Sequence, residues 1–227
     1  MEALAVHLKT TYMQLKIYIW FILSIIVLGT ITELFILLVS DIPDITTLSK
    51  ANMLIILLLL AAIVLPLSYY KRIAHLGVSR VQYYMGLHAV YAVWAIAIAL
   101  INSLWNLLQI HVFHNYDRTV ELVEAFHWND FGFAGAFLYQ TIFFLLVMAF
   151  LGMLVSGYSH PVGWLLSALI ITAIPIGTAI PALRVHVASF FETLLFNDSL
   201  LLGVGCNLLL YFVFVAGGWL FTRVRVH

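Results

Sequence analysis

Six apolar runs, each close to the length that crosses a bilayer, account for most of this chain. A membrane-spanning helix needs about 20 predominantly apolar residues. The runs cover residues of about 17–40, 53–70, 84–110, 138–156, 162–183 and 200–222. Hydrophobic residues make up 64% of the chain and charged residues 9%, which is too little polar surface for a soluble domain. We therefore predict an all-α membrane protein whose single transmembrane domain, residues 1–227, contains six spans.

The positive charges predict that both termini face the cytoplasm, because cytoplasmic loops retain an excess of Lys and Arg. With the N-terminus inside, the cytoplasmic basic residues are Lys9, Lys16, Lys71, Arg72, Arg80, Arg223 and Arg225, and the external ones are Lys50, Arg118 and Arg184. Residues 1–16 lack the pattern of a removable signal peptide and are expected to lie along the interface before the first span. We expect a multi-pass protein of a bacterial plasma membrane, in contact with lipid.

A basic segment, residues 71–80, separates the second and third runs. Gly77 can adopt the left-handed geometry that ends a helix, and Ser79 with Gln82 fits the capping box that begins the next one. Tyrosines flank the segment, where aromatic rings settle at the membrane interface; they are Tyr69, Tyr70, Tyr83 and Tyr84. One interpretation is a positively charged loop that holds two spans in register, and the other is a docking element for a cytoplasmic partner.

The run Gly77-Val78-Ser79-Arg80-x-x-Tyr83-Tyr84-x-Gly86, between spans two and three of a six-span chain, resembles the permease subunits of type-two ABC transporters, which have the type V exporter fold. The resemblance covers the topology and one short motif. It implies a cytoplasmic coupling helix that fits a groove on a separate ATPase subunit, where ATP and Mg would bind. It also implies a second permease subunit, identical or homologous. The implied coupling residues are Lys71, Arg72, His75, Leu76, Gly77, Val78, Ser79 and Arg80.

An amphipathic helix is predicted over residues 184–196, before the sixth span. Its apolar residues recur at intervals of three and four, whereas polar residues occupy the other side. The resemblance implies short outer amphipathic or re-entrant helices here that close the outer end of the pathway; an ordinary interfacial helix is the alternative. The residues of this predicted outer gate helix are Phe190, Phe191, Leu194 and Leu195.

Polar residues and prolines within the spans are the candidates for a substrate pathway. The third span carries polar and small residues on one face, for which helix packing is the favoured role and pathway lining the alternative. Glu33 is the one acid within a predicted span, where pairing or contact with water is favoured over contact with substrate. The pathway candidates are Glu33, Asn102, Asn106, Pro175 and Thr178.

The external loop between spans three and four carries histidines beside carboxylates, namely His111, His114, His127, Asp117 and Asp130. The spacing lacks the glutamate of a zinc-hydrolase helix, so we predict interface histidines and no metal site. The chain contains no phosphate loop and no basic nucleic-acid patch. Neither a catalytic residue nor a cofactor is predicted in this chain.

The favoured function is export. We expect a permease subunit, without ATPase activity of its own, that moves a hydrophobic or amphipathic substrate out of the cell by alternating access. Drugs, antimicrobial or toxin peptides and lipid-like molecules fit that description. The alternative is a small intramembrane enzyme or a non-transporting sensor that uses the external histidines and carboxylates.

Overall fold

The computed structural model describes residues 2–39, 47–70, 78–108 and 119–224. The helices are α1 (Glu2–Val39), α2 (Lys50–Val64), α3 (Arg80–Leu108), α4 (Leu122–Ala125), α5 (Gly132–Gly157), α6 (Pro161–Ala179), α7 (Pro181–Leu195) and α8 (Leu200–Val224). A π-helical turn, Leu65–Tyr69, extends α2, and a 3-10 turn, Trp128–Phe131, precedes α5. Over the described ranges, strand structure is confined to β1 (Thr47–Leu48) and β2 (Thr119–Val120), which pair in parallel.

The prediction of six membrane-length helices is confirmed. The stretches long and apolar enough to cross a bilayer are His7–Thr32, Lys50–Ser68, Arg80–Leu108, Trp128–Gly157, Pro161–Ala179 and Leu200–Val224. The first begins about ten residues earlier than the sequence predicts, because α1 is one continuous helix with no Gly or Pro before Gly29. The interfacial position expected for residues 1–16 stays a prediction.

Helix α5 forms the centre of the bundle and packs against α2, α3, α6 and α8. In its most apolar stretch 56% of the residues are buried, against 11% in α1, α6 and α8. Small residues on α5, including Gly135, Ala136, Ala149 and Gly152, allow this close packing. The outer helices therefore leave broad apolar surfaces, which suit lipid or another membrane-embedded chain.

The second span ends in the π-helical turn that contains Pro66. Proline has no N–H to give to the carbonyl of Ala62, four residues earlier. The hydroxyl of Tyr91, a fully buried residue of α3, donates to that carbonyl oxygen at 3.3 Å. The distortion of α2 is thus stabilised by a side chain of the neighbouring helix.

Tyrosines at the α2–α3 connection are buried in protein. Tyr70 and Tyr83 are each 3% exposed and meet edge to face, with ring centroids 5.1 Å apart. Tyr84 donates to the carbonyl of Val215 on α8 at 2.5 Å. These three rings, expected among lipid headgroups, instead join α2, α3 and α8, because neighbouring helices cover them.

Three chain segments meet at the end of the bundle where α3 begins. The ring of His7, near the start of α1, lies so close to Gly86 that a Cβ there would be 2.6 Å from His7 Cε1. The Arg80 guanidinium donates to the backbone carbonyl of Arg223, near the end of α8. The starts of α1 and α3 and the end of α8 therefore share one end of the bundle, as an even number of spans requires.

Candidate functional site

The start of α3, directly after the basic segment, has the capping contacts that the sequence predicts. Ser79 Oγ and Gln82 Oε1 are 3.0 Å apart, the Gln82 N–H points at Ser79 Oγ at 3.3 Å, and the Ser79 N–H donates back to Gln82 Oε1 at 3.2 Å. This is the reciprocal arrangement of a capping box, which satisfies orphan donors at a helix start. The predicted N-terminus of α3 is therefore confirmed at Arg80.

The predicted coupling residues divide into two groups. Lys71, Arg72, His75, Leu76 and Gly77 lie outside the described residues, so the coupling helix itself stays a prediction. Of the remaining three, Val78 is half-buried against the main core, whereas Ser79 and Arg80 are exposed. The exposed pair at the start of α3 therefore consists of Ser79 and Arg80, with Val78 packed behind it.

Arg80 carries the positive charge of this exposed pair. Its guanidinium binds a carbonyl at the C-terminal end of α8, where the helix dipole favours positive charge. The contact fixes the arginine stem between α3 and α8 while the residue stays exposed. A displacement of the Arg80 side chain would thus act on both α3 and α8.

The helix predicted before the sixth span is present as α7, and its role as an outer gate stays a prediction. The last carbonyls of a helix lack intrahelical partners, and at the end of α7 three side chains supply them. Tyr139 on α5 and Asn207 on α8 donate to Leu194 O at 2.9 and 3.0 Å, and Trp128 Nε1 donates to Leu195 O at 2.9 Å. We call these three donors the α7 clamp.

The predicted outer gate residues face different surroundings. Leu194 is buried, Phe191 and Leu195 are half-buried, and Phe190 is half-exposed. The apolar side predicted from the spacing therefore packs inward in part, with Leu195 against a small core that includes Trp128 and Tyr139.

Helix α7 folds back on α6 at Ile180, whose extended backbone precedes Pro181. Arg184 Nε donates to Thr178 O at 2.9 Å across this bend. Val187 packs directly over Gly177. The bend and the α7 clamp thus hold α7 at both ends.

The predicted pathway residues do not share one environment. Asn102 and Asn106 are buried on α3, whereas Pro175 and Thr178 are exposed on α6. Thr178 Oγ1 is within 2.9 and 3.0 Å of carbonyls of its own helix. The side chain of Glu33 lies outside the described part of the structure. The asparagines therefore point to the interior, and the α6 residues face the periphery.

Glu121 is a buried carboxylate in the loop between spans three and four, and it is not among the candidate residues named from the sequence. It is 3% exposed, accepts from Ser49 Oγ at 3.2 Å, and accepts from Asn106 Nδ2. The β1–β2 pair brings the chain on either side of this contact together. Burial raises the pKa of the Glu121 carboxyl above its ordinary value, and nearby Glu124 adds to this, while the bonds from Asn106 and Ser49 offset part of it.

We expect stability to depend on pH through Glu121. In the unfolded chain Glu121 loses its proton near the ordinary carboxyl pKa of about 4.3. In the folded chain it keeps the proton to a higher pH, because its pKa is raised. The free energy of unfolding therefore decreases as pH rises from the ordinary pKa to the raised pKa. The Glu121→Gln variant cannot ionise, so its Tm should fall less over this window. Thermal unfolding in detergent reads the difference, because 1 kcal/mol moves Tm by about 2 to 4 °C in a chain of this size.

The exposed Glu192→Gln variant is the matched control and should follow the wild-type curve. If the Tm of Glu121→Gln and wild type ran parallel from about pH 4 upward, the assignment of Glu121 as a destabilised buried acid would be wrong.

The histidine and carboxylate cluster gains no support from the described residues. His111, His114 and Asp117 lie outside them, and His127 and Asp130 are exposed. Within the described ranges no three His, Cys, Asp or Glu side chains come together as a metal site would require.

Comparisons with protein-family models, with curated proteins and with solved structures give no match for this chain.

Proposed function

We propose that this chain is the permease subunit of an ATP-driven ABC exporter that moves a hydrophobic or amphipathic substrate out of the cell. The observation that carries the proposal is the capped restart of α3 at Ser79, which follows a basic segment between spans two and three. It lies at the end of the bundle where α1 begins and α8 ends. The excess of Lys and Arg at that end favours a cytoplasmic location.

The permease has no phosphate loop, so ATP and Mg bind to a separate ATPase subunit in this proposal. ATP binding closes the ATPase pair and moves the coupling segment of each permease subunit. A second permease subunit, identical or homologous, lies beside the first within the membrane. The apolar surfaces left by α1, α6 and α8 offer it an interface and offer lipid the rest.

Helix α8 can transmit movement from the coupling end to the outer end. It binds Arg80 through the carbonyl of Arg223 and binds the end of α7 through Asn207. These two positions on one straight helix are ~24 Å apart at ~1.5 Å per residue. A tilt of α8 imposed at the cytoplasmic end would therefore shift α7 at the outer end. Alternating access requires that the helices have two stable packing arrangements.

The proposal expects an ABC ATPase to be encoded beside this gene, and the direct test is reconstitution with that subunit. Co-expression, purification through a tag on one partner, and reconstitution in lipid nanodiscs should yield a complex whose ATP hydrolysis responds to added amphipathic substrates. An ATPase with its phosphate-loop lysine replaced is the control and should assemble without hydrolysis. Failure of the two chains to copurify, together with hydrolysis unaffected by this chain, would refute the proposal.

A further inference from the structure

A cavity of about 440 Å³ opens at the outer end of the bundle, between α3, the α4 region and the start of α5. Its walls combine apolar groups with a polar side. The residues that line it are Ser103, Asn106, Leu107, Val123, Asn129, Gly132, Phe133 and Ala136. A volume of this size suits a small organic molecule.

Ser103 is a buried hydroxyl that the protein itself leaves without a partner. It is 5% exposed, lines the cavity, and has no hydrogen bond among the described residues. Hydroxyls in helices commonly donate to the carbonyl four residues earlier, as Thr141 and Thr222 do here. Ser103 does not, and an unpaired buried polar group is destabilising. A ligand in the cavity would remove that destabilisation.

Asn106 presents an oriented acceptor beside Ser103. Its Nδ2 donates to Glu121, so its Oδ1 is the atom directed away from that carboxylate. The contact fixes the amide because both residues are buried. Two neighbouring positions on α3 thus offer oxygen atoms to a donor group, with a carboxylate directly behind them.

The charged side chains of the segment that supplies most of the lining are acidic, while Lys50 follows Ser49, the hydroxyl partner of Glu121. Residues 119–136, which supply five of its lining residues, contain Glu121, Glu124 and Asp130 and no Lys or Arg. Glu124 and Asp130 are exposed beside the lining residues Val123 and Asn129. The field therefore favours a cation over a neutral or anionic group.

We infer that the cavity binds amphipathic molecules with a cationic, hydrogen-bond-donating head, such as alkylammonium ions. The head lies against Ser103 and Asn106, and the tail runs over Leu107 and Phe133, which are both partly exposed toward the surroundings. As a substrate site this inference rests on the exporter function proposed above. As a binding site it can be measured on the isolated chain.

Deeper polar side chains continue the same path. Asn102 is 3% and Gln140 0% exposed, and the structure shows no hydrogen-bond partner for either side-chain amide within the described ranges. Both lie within about 12 Å of the outer ends of α3 and α5 at ~1.5 Å per residue. They extend the acceptor surface inward, in the direction from which an exported head group would arrive.

The test compares three probes with the same tail, n-octylammonium, 1-octanol and octanoate, by equilibrium dialysis against the full chain in lipid nanodiscs. Binding to empty nanodiscs is subtracted. We expect octylammonium to bind at least about tenfold more tightly than octanol, and octanoate most weakly, because a hydrogen bond to a charged group contributes about 1.5 to 3 kcal/mol.

Ser103→Ala should weaken octylammonium binding about tenfold and octanol binding by a smaller factor. Glu121→Gln should reduce the ratio of the octylammonium affinity to the octanol affinity. Ser24→Ala is the matched control, since this exposed helical hydroxyl on α1 already donates to Trp20 O. Equal affinities for octylammonium and octanol, or unchanged binding in Ser103→Ala, would overturn the inference. Specific binding without ATP-driven export of octylammonium in proteoliposomes would support the site and overturn the proposed function instead.

Discussion

Arg80→Glu combined with Leu76→Asp is expected to abolish substrate-stimulated ATP hydrolysis by the complex, a loss of at least about a hundredfold in the stimulated rate. Arg80 is exposed at the capped start of α3 and is bound to the end of α8. Reversing its charge removes attraction to the partner, and an aspartate four residues earlier places a charge in the predicted apolar contact. Burying an unpaired charge in an interface costs several kcal/mol, and each 1.4 kcal/mol is a factor of ten in affinity.

The measurement is copurification of the proposed ATPase partner through a tag on this chain, followed by ATP hydrolysis with and without substrate. Arg184→Glu combined with Leu183→Asp is the matched control at the opposite end of the bundle. Arg184 also is exposed and also donates to one backbone carbonyl, that of Thr178. The control should copurify normally, and both variants should keep the wild-type Tm within a few degrees. A fully stimulated Arg80→Glu, Leu76→Asp complex would refute docking at this segment.

The elements that the sequence predicts well are those that depend on local patterns. The length of the apolar runs is enough to locate the six spans, because a chain that crosses a bilayer as a helix needs about 20 apolar residues and satisfies its backbone hydrogen bonds internally. The capping box at Ser79 and Gln82 is equally local, since its bonds join residues three apart. The apolar spacing of α7 also follows from the chain itself.

The candidate site depends on contacts between distant residues, and the sequence predicts these poorly. Glu121 is buried because Ser49, 72 residues away, and Asn106 cover it, and the loop containing it reads as an ordinary external segment. One signal was available: Glu121 stands between Val120, Leu122 and Val123, an apolar setting for a loop acid. The α7 clamp joins Leu194 and Leu195 to donors on α5, α8 and the turn before α5, and no spacing rule links those positions.

The two ends of the molecule are organised differently, and this bears on the proposed mechanism. At the end where α3 begins, α3 and α8 are joined by the bonds from Arg80 to Arg223 O and from Tyr84 to Val215 O, and His7 of α1 packs against Gly86. At the outer end, α7 is fixed by three hydrogen bonds into a cluster of aromatic rings, with Trp128 and Tyr139 stacked at 4.9 Å. These contacts hold the end of α7 against α5 and α8.

Gly163→Ala is expected to be the most destabilising small substitution in the bundle, with a loss of about 3 kcal/mol or more. Gly163 begins α6 directly after the turn that leaves α5, and a Cβ there would lie 2.6 Å from Gly157 Cα and closer still to the Gly157 carbonyl oxygen. The obstacle is backbone, so no side chain can rotate to relieve it. Gly157 is itself confined by Phe221 of α8, so α5, α6 and α8 would all have to separate.

Gly205→Ala provides the control, because nothing lies within 4 Å of a Cβ at that position of α8. Replacing an unobstructed helical glycine gains about 0.5 to 1 kcal/mol, so this variant should match or exceed wild-type stability. The Tm of both variants is measured by thermal unfolding in the same detergent. Because α6 is otherwise sparsely buried, the turn at Gly163 is an important contact of α6 with the bundle, and α7 follows directly from α6. Gly163→Ala should therefore also disengage the α7 clamp, seen as increased proteolysis near Ile180, and wild-type stability in this variant would contradict the tight α5–α6 turn.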